Sequence, residues 1–297
     1  AGALQYYLEE IIIELLKKIN KKYKIRSFYF SGGVPMNVKM FNVISKLKFV
    51  DYLHVPPSAA DESLCMGGCY YLARNERSKP ITNIYLGRDL HNNKKKINLN
   101  NLKKSFSSKN YKILKNVSHS TIASLLASNN IIAVARGKEE FGARALGNRS
   151  IIANPSNHEM VKKINETIKN RDFWMPFALT ILKEDHKKFI KNPKNLRCEY
   201  MTMTFDTRED KTDKIYSGCH THDKTVRPQI LEKKHNPAYY SLLKNFKKKT
   251  SIPALLNTSL NLHGYPVASI FKNIIFAYKN SALKYLYLND DFLIIKK

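Results

Sequence analysis

Apolar residues near the start of the chain recur every three or four positions, which is the spacing of one helix face. They are Leu4, Leu8, Ile11, Ile12, Leu15, Leu16 and Ile19. This spacing predicts an amphipathic helix whose apolar stripe packs against a core.

The following stretches alternate between strand-like and helix-like patterns. SFYFSGG (27–33) is typical of a buried strand that ends on a glycine pair, and FVDYLHV (49–55) of a second strand. A helix is expected between them over NVKMFNVISKL (37–47), and another after PPSAAD (56–61). Alternation of this kind predicts an α/β fold with helices layered on a sheet.

A polar, basic stretch without periodicity, LHNNKKKINLNNLKKSFSSKN (90–110), interrupts this pattern. It predicts a linker over 91–110 between a first domain, 1–90, and a second domain, 111–297. In the second domain we expect helices at 120–129 and 240–250, and strands at 131–137, 201–207 and 252–259. The less regular order there favours a mixed α+β arrangement.

The composition excludes several classes of protein. With 297 residues, 43% of them hydrophobic, the chain can bury the cores of two domains, so global disorder is excluded. No apolar run reaches the roughly 18 residues that cross a membrane, and no signal peptide opens the chain. The cysteines form no paired framework, and Cys65 and Cys69 are expected to face a core. We therefore expect a cytoplasmic protein, and the missing initiator methionine predicts a fragment.

The formal net charge of +27 has two interpretations. It could mark a nucleic-acid surface, but the lysines are scattered in runs, which is typical of a composition bias on solvated faces. Arginine is rarer and therefore more informative, because its planar fork of donors binds carboxylates and phosphates in a bidentate manner. Five arginines lie in the middle of the chain, where each could bind an anion or form a structural ion pair: Arg136, Arg144, Arg149, Arg171 and Arg227.

The stretch GKEEFGARALGNRS (137–150) follows a predicted strand, where active-site groups are common. Its three glycines allow a backbone to approach a ligand closely, and Lys138, Arg144 and Arg149 supply cations beside Asn148. The alternative is an arginine-rich turn that Glu139 and Glu140 fasten. Both alternatives remain open from these residues alone.

Three further polar segments lie in apolar surroundings. Arg171 precedes FWMPFA (173–178), HTHDKTVRPQ (220–229) contains His220, Thr225 and Arg227, and LLNTSLNLHGYP (255–266) contains Asn257 and Asn261. A fold that joins them would surround one polyanion with arginines, since buried unpaired arginines are costly. His220 could transfer a proton or be structural.

Two features of the first domain are weaker signals. Gly32 and Gly33 could form a phosphate-binding turn ahead of a helix near Asn37, or only a tight turn. Asp61 is more often a helix cap than a metal ligand in such a position.

Together these motifs identify a resemblance to the NodU/CmcH/TobZ carbamoyltransferases. GKEEFGARALGNRS followed by IIANP resembles the family's G-[RK]-x-E-F-G-P-R-A-L-G-N-R-S-I signature. HTHDKTVRPQ, the stretch from NPAYYSLL to LNLHGYP, and SGGVPMNVK with PPSAADESL resemble further blocks of the family in the same order. The resemblance extends from residue 1 to about residue 290.

The resemblance implies an ATP-dependent O-carbamoyltransferase. Such enzymes form carbamoyl-adenylate from carbamoyl phosphate and ATP, and then transfer the carbamoyl group to a hydroxyl of a sugar or natural product. It also implies the end of an actin/Hsp70-like, TsaD-like ATPase domain, followed by a YrdC-like α/β domain. Fe²⁺ or another divalent metal is expected, with its histidine ligands upstream of residue 1 and Asp61 as a ligand.

The resemblance also implies roles for individual residues. The catalytic residues would be Lys138, Arg144, Arg171, Arg227 and His220. Substrate or nucleotide would bind at Gly32, Gly33, Asn37, Asn148, Arg149, Thr225, Asn257 and Asn261.

The sequence departs from the family's pattern at two positions, and two other functions remain open. Ala143 stands where the family has proline, and this change is expected to loosen the turn. Ala60 replaces a frequent glycine.

The alternative functions are a YrdC-like RNA-binding module, which the net charge of +27 motivates, and a nucleotide-binding remnant without catalysis, which the absent upstream histidines motivate. The expected partner is a small hydroxyl compound, and neither a membrane nor a nucleic acid is favoured.

Overall fold

The computed structural model describes residues 2–76, 81–90, 97–172 and 175–297, and it confirms the mixed α/β class. The helices are α1 (Gly2–Tyr23), α2 (Val38–Lys46), α3 (Leu64–Leu72), α4 (Leu99–Ser105), α5 (His119–Ala127), α6 (Met160–Ile164), α7 (Pro237–Thr250) and α8 (Phe271–Lys279). The strands are β1 (Ser27–Tyr29), β2 (Tyr52–His54), β3 (Tyr111–Leu114), β4 (Ile132–Ala135), β5 (Arg149–Ala153), β6 (Ala178–Leu182), β7 (Phe205–Asp206), β8 (Thr225–Val226), β9 (Pro228–Leu231), β10 (Ala254–Ser259), β11 (Tyr285–Leu288) and β12 (Phe292–Lys296).

A large mixed sheet organises residues 111–297. Its eight strands lie in the order β3-β12-β11-β4-β5-β10-β6-β9. The pairs β4–β11 and β6–β9 are parallel, and the other neighbours are antiparallel. Every residue of β4, β5 and β6 is buried, including the polar Arg149 and Ser150 at the start of β5. Burial on both faces agrees with the continuous apolar run of β4. Helices α5 and α7, which pack against each other, cover one side of the core.

The first part of the chain has a smaller sheet, in which β1 and β2 pair in parallel. Helix α1 forms as its periodicity predicts, but its stripe is only partly core. Ile13 and Leu16 are buried, whereas Leu4 is 74% and Leu15 51% exposed. The expectation that Cys65 and Cys69 face a core is wrong, because α3 buries none of its residues and both thiols are exposed.

Two other expectations from the sequence are corrected. Residues 99–105 of the predicted linker form α4, because Leu102 and Phe106, four positions apart, are buried in the core; residues 91–96 lie outside the described part. Of the strand expected over 201–207, Phe205–Asp206 pairs with β8 and Thr207 forms an isolated bridge with Ile190, whereas residues 201–204 are not in a strand. The domain boundary itself remains a prediction. No helix in the described part of the chain is long and apolar enough to cross a membrane.

Candidate functional site

Four polar segments meet where neighbouring strands of the large sheet begin or end, on one side of the sheet. Ala135 at the end of β4 pairs with Arg149 at the start of β5, so residues 136–148 form a loop there. Ser259 at the end of β10 pairs with Ser150, and Asn257 pairs with Ala178 at the start of β6. Strand β9 is parallel to β6, and Pro228 at its start pairs with Leu179 near the start of β6. The topology therefore brings together residues that are distant in sequence.

The carboxylate of Glu140 holds the loop through backbone groups. Its Oε1 accepts hydrogen bonds from the amides of Leu146 at 2.6 Å, Asn148 at 2.8 Å and Arg149 at 3.3 Å. Hydrogen bonds to an ionised acceptor are stronger than neutral ones, so one carboxylate fixes this turn. Of the two glutamates expected to fasten this turn, Glu140 does so through backbone amides, whereas the Glu139 carboxylate accepts from the amide of Arg88.

The carbonyl groups of the same loop are also satisfied. Asn257 Nδ2 donates to the carbonyl oxygen of Ala145 at 3.1 Å, and Tyr85 Oη donates to that of Leu146 at 2.9 Å. Gly147 has φ 112°, and a Cβ there would lie 2.2 Å from Cδ1 of Tyr239. Only glycine fits this position. The backbone that follows Arg144 is therefore held at residues 145–147, and the expected loosening of the turn by Ala143 stays a prediction.

Three arginines line one small cavity, which we call the arginine cavity. It measures about 70 Å³, and Arg144, Arg171 and Arg227 line it together with Asn257 and Ser259. This volume has room for a phosphoryl-sized group, since one water needs about 10–15 Å³ on the same measure. The structure thus assembles the three arginines that the sequence analysis grouped.

The arginine cavity is strongly cationic. Burial lowers the pKa of Arg144 and Arg171, and the charge of Arg171 lowers that of Arg144 further. For Arg227, burial and then the charges of Arg144 and Arg171 lower the pKa to about 9. Among the described residues no carboxylate offsets these three charges. Like charges disfavour one another's charged form, so an anion bound among these arginines would stabilise them.

A fourth cation, Lys169, lies behind the arginine cavity, where it contacts Ser259 of the lining, and it was missed from the sequence. Its side chain is 1% exposed, and Nζ donates to Asn261 Oδ1 at 2.7 Å and to Ser259 Oγ at 3.1 Å. Burial and the charge of Arg171 lower the pKa of Lys169 to about 7. A single lysine in a lysine-rich chain carries no signal of its own. Its position two residues before Arg171 was the only clue.

A second cavity adjoins the first, and we call it the histidine cavity. It measures about 210 Å³ and shares Arg227 and Phe177 with the arginine cavity. Its polar lining is Lys39, Thr204, His220, Asp223 and Thr225.

Asp223 organises the polar wall of the histidine cavity. His220 Nδ1 lies 3.1 Å from Asp223 Oδ1, which also accepts from the amide and hydroxyl of Thr225. Lys39 Nζ lies 3.2 Å from the other carboxylate oxygen. Burial alone would raise the pKa of Asp223, but the bonds from Thr225 and Lys39 and the charge of His220 outweigh it, and the pKa falls to about 2. Asp223 thus positions His220 as a charged acceptor.

Two predicted ligand-binding residues, Arg149 and Asn148, have structural roles instead. Arg149 is fully buried, and its guanidinium donates to the carbonyl oxygens of Arg136 at 2.6 Å, Ser269 at 2.9 Å and Gly137 at 3.1 Å. Asn148 donates to the carbonyl oxygen of Lys138 at 2.7 Å. Because these donors already have carbonyl partners, they are not available to a ligand. The structure therefore does not place Arg149 or Asn148 in either cavity.

Asn257 and Asn261 both lie near the arginine cavity, in different roles. Asn257 lines it, and its Oδ1 is buried without a hydrogen-bond partner. Asn261 instead accepts from Lys169 and Ser259 and donates to the carbonyl oxygen of Tyr265 at 2.7 Å. Asn261 therefore positions the cavity wall.

The remaining predicted residues lie apart from the two cavities. Lys138 is exposed, and the amide of Gly32, at φ 115°, donates to the carbonyl oxygen of Ala59 at 2.6 Å. Gly33 is exposed, and Asn37 caps α2 by accepting from the amide of Met40 at 3.1 Å.

Asp61 neither caps a helix nor lies beside other ligands. It is exposed and follows the capping position, which Ala60 occupies without a side-chain bond. Among the described residues no group of three histidine, cysteine, aspartate or glutamate side chains could hold a metal. These residues do not fit a metal site by themselves. Phe173 and Trp174 of FWMPFA lie outside the described residues.

Comparisons with known proteins agree on one family. The family model of the carbamoyltransferase C-terminus matches residues 123–296, and that of the carbamoyltransferase N-terminus matches residues 1–69. Uncharacterized protein MJ1051 of Methanocaldococcus jannaschii is 36% identical over 94% of this chain and 52% of its own length. Nodulation protein NolO of Bradyrhizobium diazoefficiens is 31% identical over 100% of this chain and 54% of its own.

The chain thus spans about half the length of the curated relatives it matches. Among solved structures, full-length HypF in the phosphate- and nucleotide-bound form matches 58% of this chain and 21% of its own. The sequence identity is 13% and the TM-score 0.38.

Proposed function

The chain belongs to the carbamoyltransferase family, and we propose that its arginine cavity binds carbamoyl phosphate and the phosphates of ATP. The supporting observation is the set of three arginines without a carboxylate partner. Phosphoryl transfer needs mainly positioned positive charge, since the protein does little covalent chemistry in such reactions.

The proposed reaction has two stages. Carbamoyl phosphate and water give carbamate and phosphate, and a carbamate oxygen then attacks the α-phosphorus of ATP. The bond to the β-phosphate breaks, pyrophosphate leaves, and carbamoyl-adenylate remains. In the second stage the hydroxyl of a small acceptor attacks the carbonyl carbon, and AMP leaves.

The proposed roles in the first stage belong to three arginines, one histidine and one lysine. Arg144, Arg171 and Arg227 bind the anionic oxygens and stabilise the charge that develops on the α-phosphoryl group and on pyrophosphate. His220, oriented by Asp223 at 3.1 Å, lies in the adjoining histidine cavity and moves a proton there. Lys138 is exposed and lies apart from both cavities, so its proposed contact with the outer phosphates rests on the resemblance to the family alone.

A metal ion would supply Lewis acidity for the transfer stage. Asp61 is the proposed contribution of this chain, and its partners would come from the part of the relatives that this chain does not span. No step here depends on it.

The test measures pyrophosphate release from ATP with and without carbamoyl phosphate. We expect release that requires both substrates, and its abolition in Arg227→Ala without loss of the folded circular dichroism spectrum. Arg208→Ala is the matched control, because Arg208 donates to the carbonyl oxygen of Lys187 at 2.7 Å in an exposed position and lines neither cavity. A folded chain that binds ATP but releases no pyrophosphate would refute the adenylation step.

A further inference from the structure

The small sheet in the first part of the chain carries three aromatic rings on one face. Strand β1 pairs in parallel with β2, and this register places Tyr29 opposite His54. Successive side chains of a strand point to opposite faces, so Tyr29, Tyr52 and His54 share one face, while Phe28 and Leu53 are buried on the other. We call these three rings the aromatic face.

The rings of the aromatic face contact one another and remain accessible. The ring centroid of Tyr29 lies 5.8 Å from that of Tyr52 and 5.7 Å from that of His54. The rings of Tyr52 and His54 are parallel to within 3°. Tyr29 is 73% exposed, and the other two residues are half-buried. Ring contacts therefore hold an aromatic surface in place where solvent reaches it.

An arginine from the second part of the chain borders the aromatic face. Burial raises the pKa of Tyr52, and the nearby charge of Arg197 counteracts this rise. Arg197 donates through Nε to Glu199 Oε1 at 2.6 Å, but its side chain is 50% exposed, whereas that of Glu199 is 6% exposed. The guanidinium group is thus presented to solvent beside the rings.

Further cations lie where the two strands begin. Arg26 directly precedes β1, and its Nη2 lies 2.8 Å from Asp51 Oδ1 and 3.5 Å from the carbonyl oxygen of Lys48. Lys194 Nζ donates to the carbonyl oxygen of the residue before Asp51 at 2.5 Å. Lys24 and Lys48 are exposed. Of these five residues, four are cations and one is a carboxylate, so they give this end of the sheet a positive charge.

The combination of exposed rings and cations suits one class of partner. Aromatic rings on a sheet face stack with unpaired bases, and neighbouring cations bind the phosphates that link those bases. We propose that the aromatic face and the cations around it bind a single-stranded nucleic acid. Tyr29 stacks on one base, Tyr52 and His54 contact the next, and Arg197 binds a phosphate between them.

This surface is separate from the site described above. None of the three rings lines the arginine cavity or the histidine cavity, so the proposal goes beyond the proposed function and does not depend on it. The net charge of +27 agrees with a polyanionic partner, but the scatter of lysines gives it no location. The fold supplies that location, because it brings β1, β2 and Arg197 together.

The proposal predicts the size of two effects. Loss of one stacking ring weakens binding of a single strand by about 5- to 100-fold. About three phosphate contacts lower the affinity roughly 20-fold between 50 and 200 mM salt.

The experiment follows fluorescence anisotropy of a labelled oligouridylate, with an RNA duplex of the same length as the comparison. We expect the unchanged protein to bind the single strand more tightly than the duplex, whose bases are already stacked on one another. Tyr29→Ala should weaken binding of the single strand by at least about fivefold and leave duplex binding unchanged. Tyr29→Phe keeps the ring and should keep the affinity.

The matched control is Tyr265→Ala. Tyr265 is also an exposed tyrosine, at 56%, and its ring lies 5.6 Å from that of Phe276, but it belongs to neither β1 nor β2. We expect this variant to bind oligouridylate like the unchanged protein. Ultraviolet cross-linking followed by mass spectrometry should place the oligouridylate on the peptides that contain Tyr29 and Tyr52.

Three results would overturn the proposal. The first is binding of the single strand no tighter than binding of the duplex, and the second is full affinity in a folded Tyr29→Ala variant. The third concerns a protein partner. If the part of the curated relatives that this chain does not span protects Tyr29 from nitration by tetranitromethane, and oligouridylate does not, the aromatic face is a protein interface instead.

Discussion

Substituting Glu140 tests whether one carboxylate holds the loop that presents Arg144. In Glu140→Gln an acceptor oxygen remains but its charge is lost, which we expect to cost about 1–2 kcal/mol of the free energy of unfolding. In Glu140→Ala the amides of Leu146 and Asn148, whose bonds are 2.6 and 2.8 Å long, lose their acceptor. At about 1.5–3 kcal/mol for each bond to a charged group, the loss of these two bonds costs about 3–6 kcal/mol.

The assay is urea unfolding at pH 7, followed by circular dichroism, together with sulfate titration of the folded protein. Glu139→Ala is the matched control, since among the described residues the Glu139 carboxylate accepts one amide bond, from Arg88 at 3.3 Å. We expect a cost below about 1 kcal/mol for the control. The reasoning is refuted if Glu140→Ala destabilises the protein no more than Glu139→Ala, or if its sulfate affinity is unchanged.

Three further predictions follow from individual contacts. Gly147→Ala places a Cβ 2.2 Å from Tyr239 at φ 112° and should cost about 2–5 kcal/mol, whereas Gly33→Ala, with open space around it, should stay within about 0.5 kcal/mol in thermal unfolding. Arg227→Ala removes one of three mutually repelling cations, so the melting temperature of the anion-free protein should not fall while sulfate affinity drops at least tenfold; an unchanged affinity would exclude Arg227 from the site. The pKa of Asp223 is about 2, below its ordinary value near 4, so the ionised carboxylate stabilises the fold at pH values above 4. The difference in the free energy of unfolding between the unchanged protein and Asp223→Asn should therefore shrink as the pH falls from 4 toward 2. A difference that is constant with pH would contradict this.

Local patterns predicted five of the eight helices in the described part of the chain, but only β4 and β10 among the described strands of the large sheet. The helices α5 and α7 and the strands β4 and β10 lie within about three residues of their expected positions. Their periodicity follows from which face is buried, and that information is contained in a short stretch of sequence. Where burial depends on a distant partner, the prediction failed. Phe106 in the supposed linker is buried and packs against Tyr278 of the second half, and Cys65 in the supposed core helix is exposed.

The candidate site was predicted in part, through the rarity of arginine and the resemblance of its motifs. Arg144 and Arg149 lie five residues apart in one motif and have the same chemistry, yet the sequence alone did not separate them. Arg149 begins β5 and donates to carbonyl oxygens of the loop it closes, whereas Arg144 lines the arginine cavity. Lys169 was indistinguishable from other lysines until its burial was known.

The sequence by itself therefore determined the class of fold, the family, and the short list of arginines able to bind an anion. Only the tertiary structure decided which of those arginines remain unpaired. The physical reason is that a guanidinium group binds a carbonyl oxygen and a phosphate oxygen with the same donors. Which one it meets depends on the order of strands in the sheet, and the pairing of β5 with both β4 and β10 sets that order for Arg149.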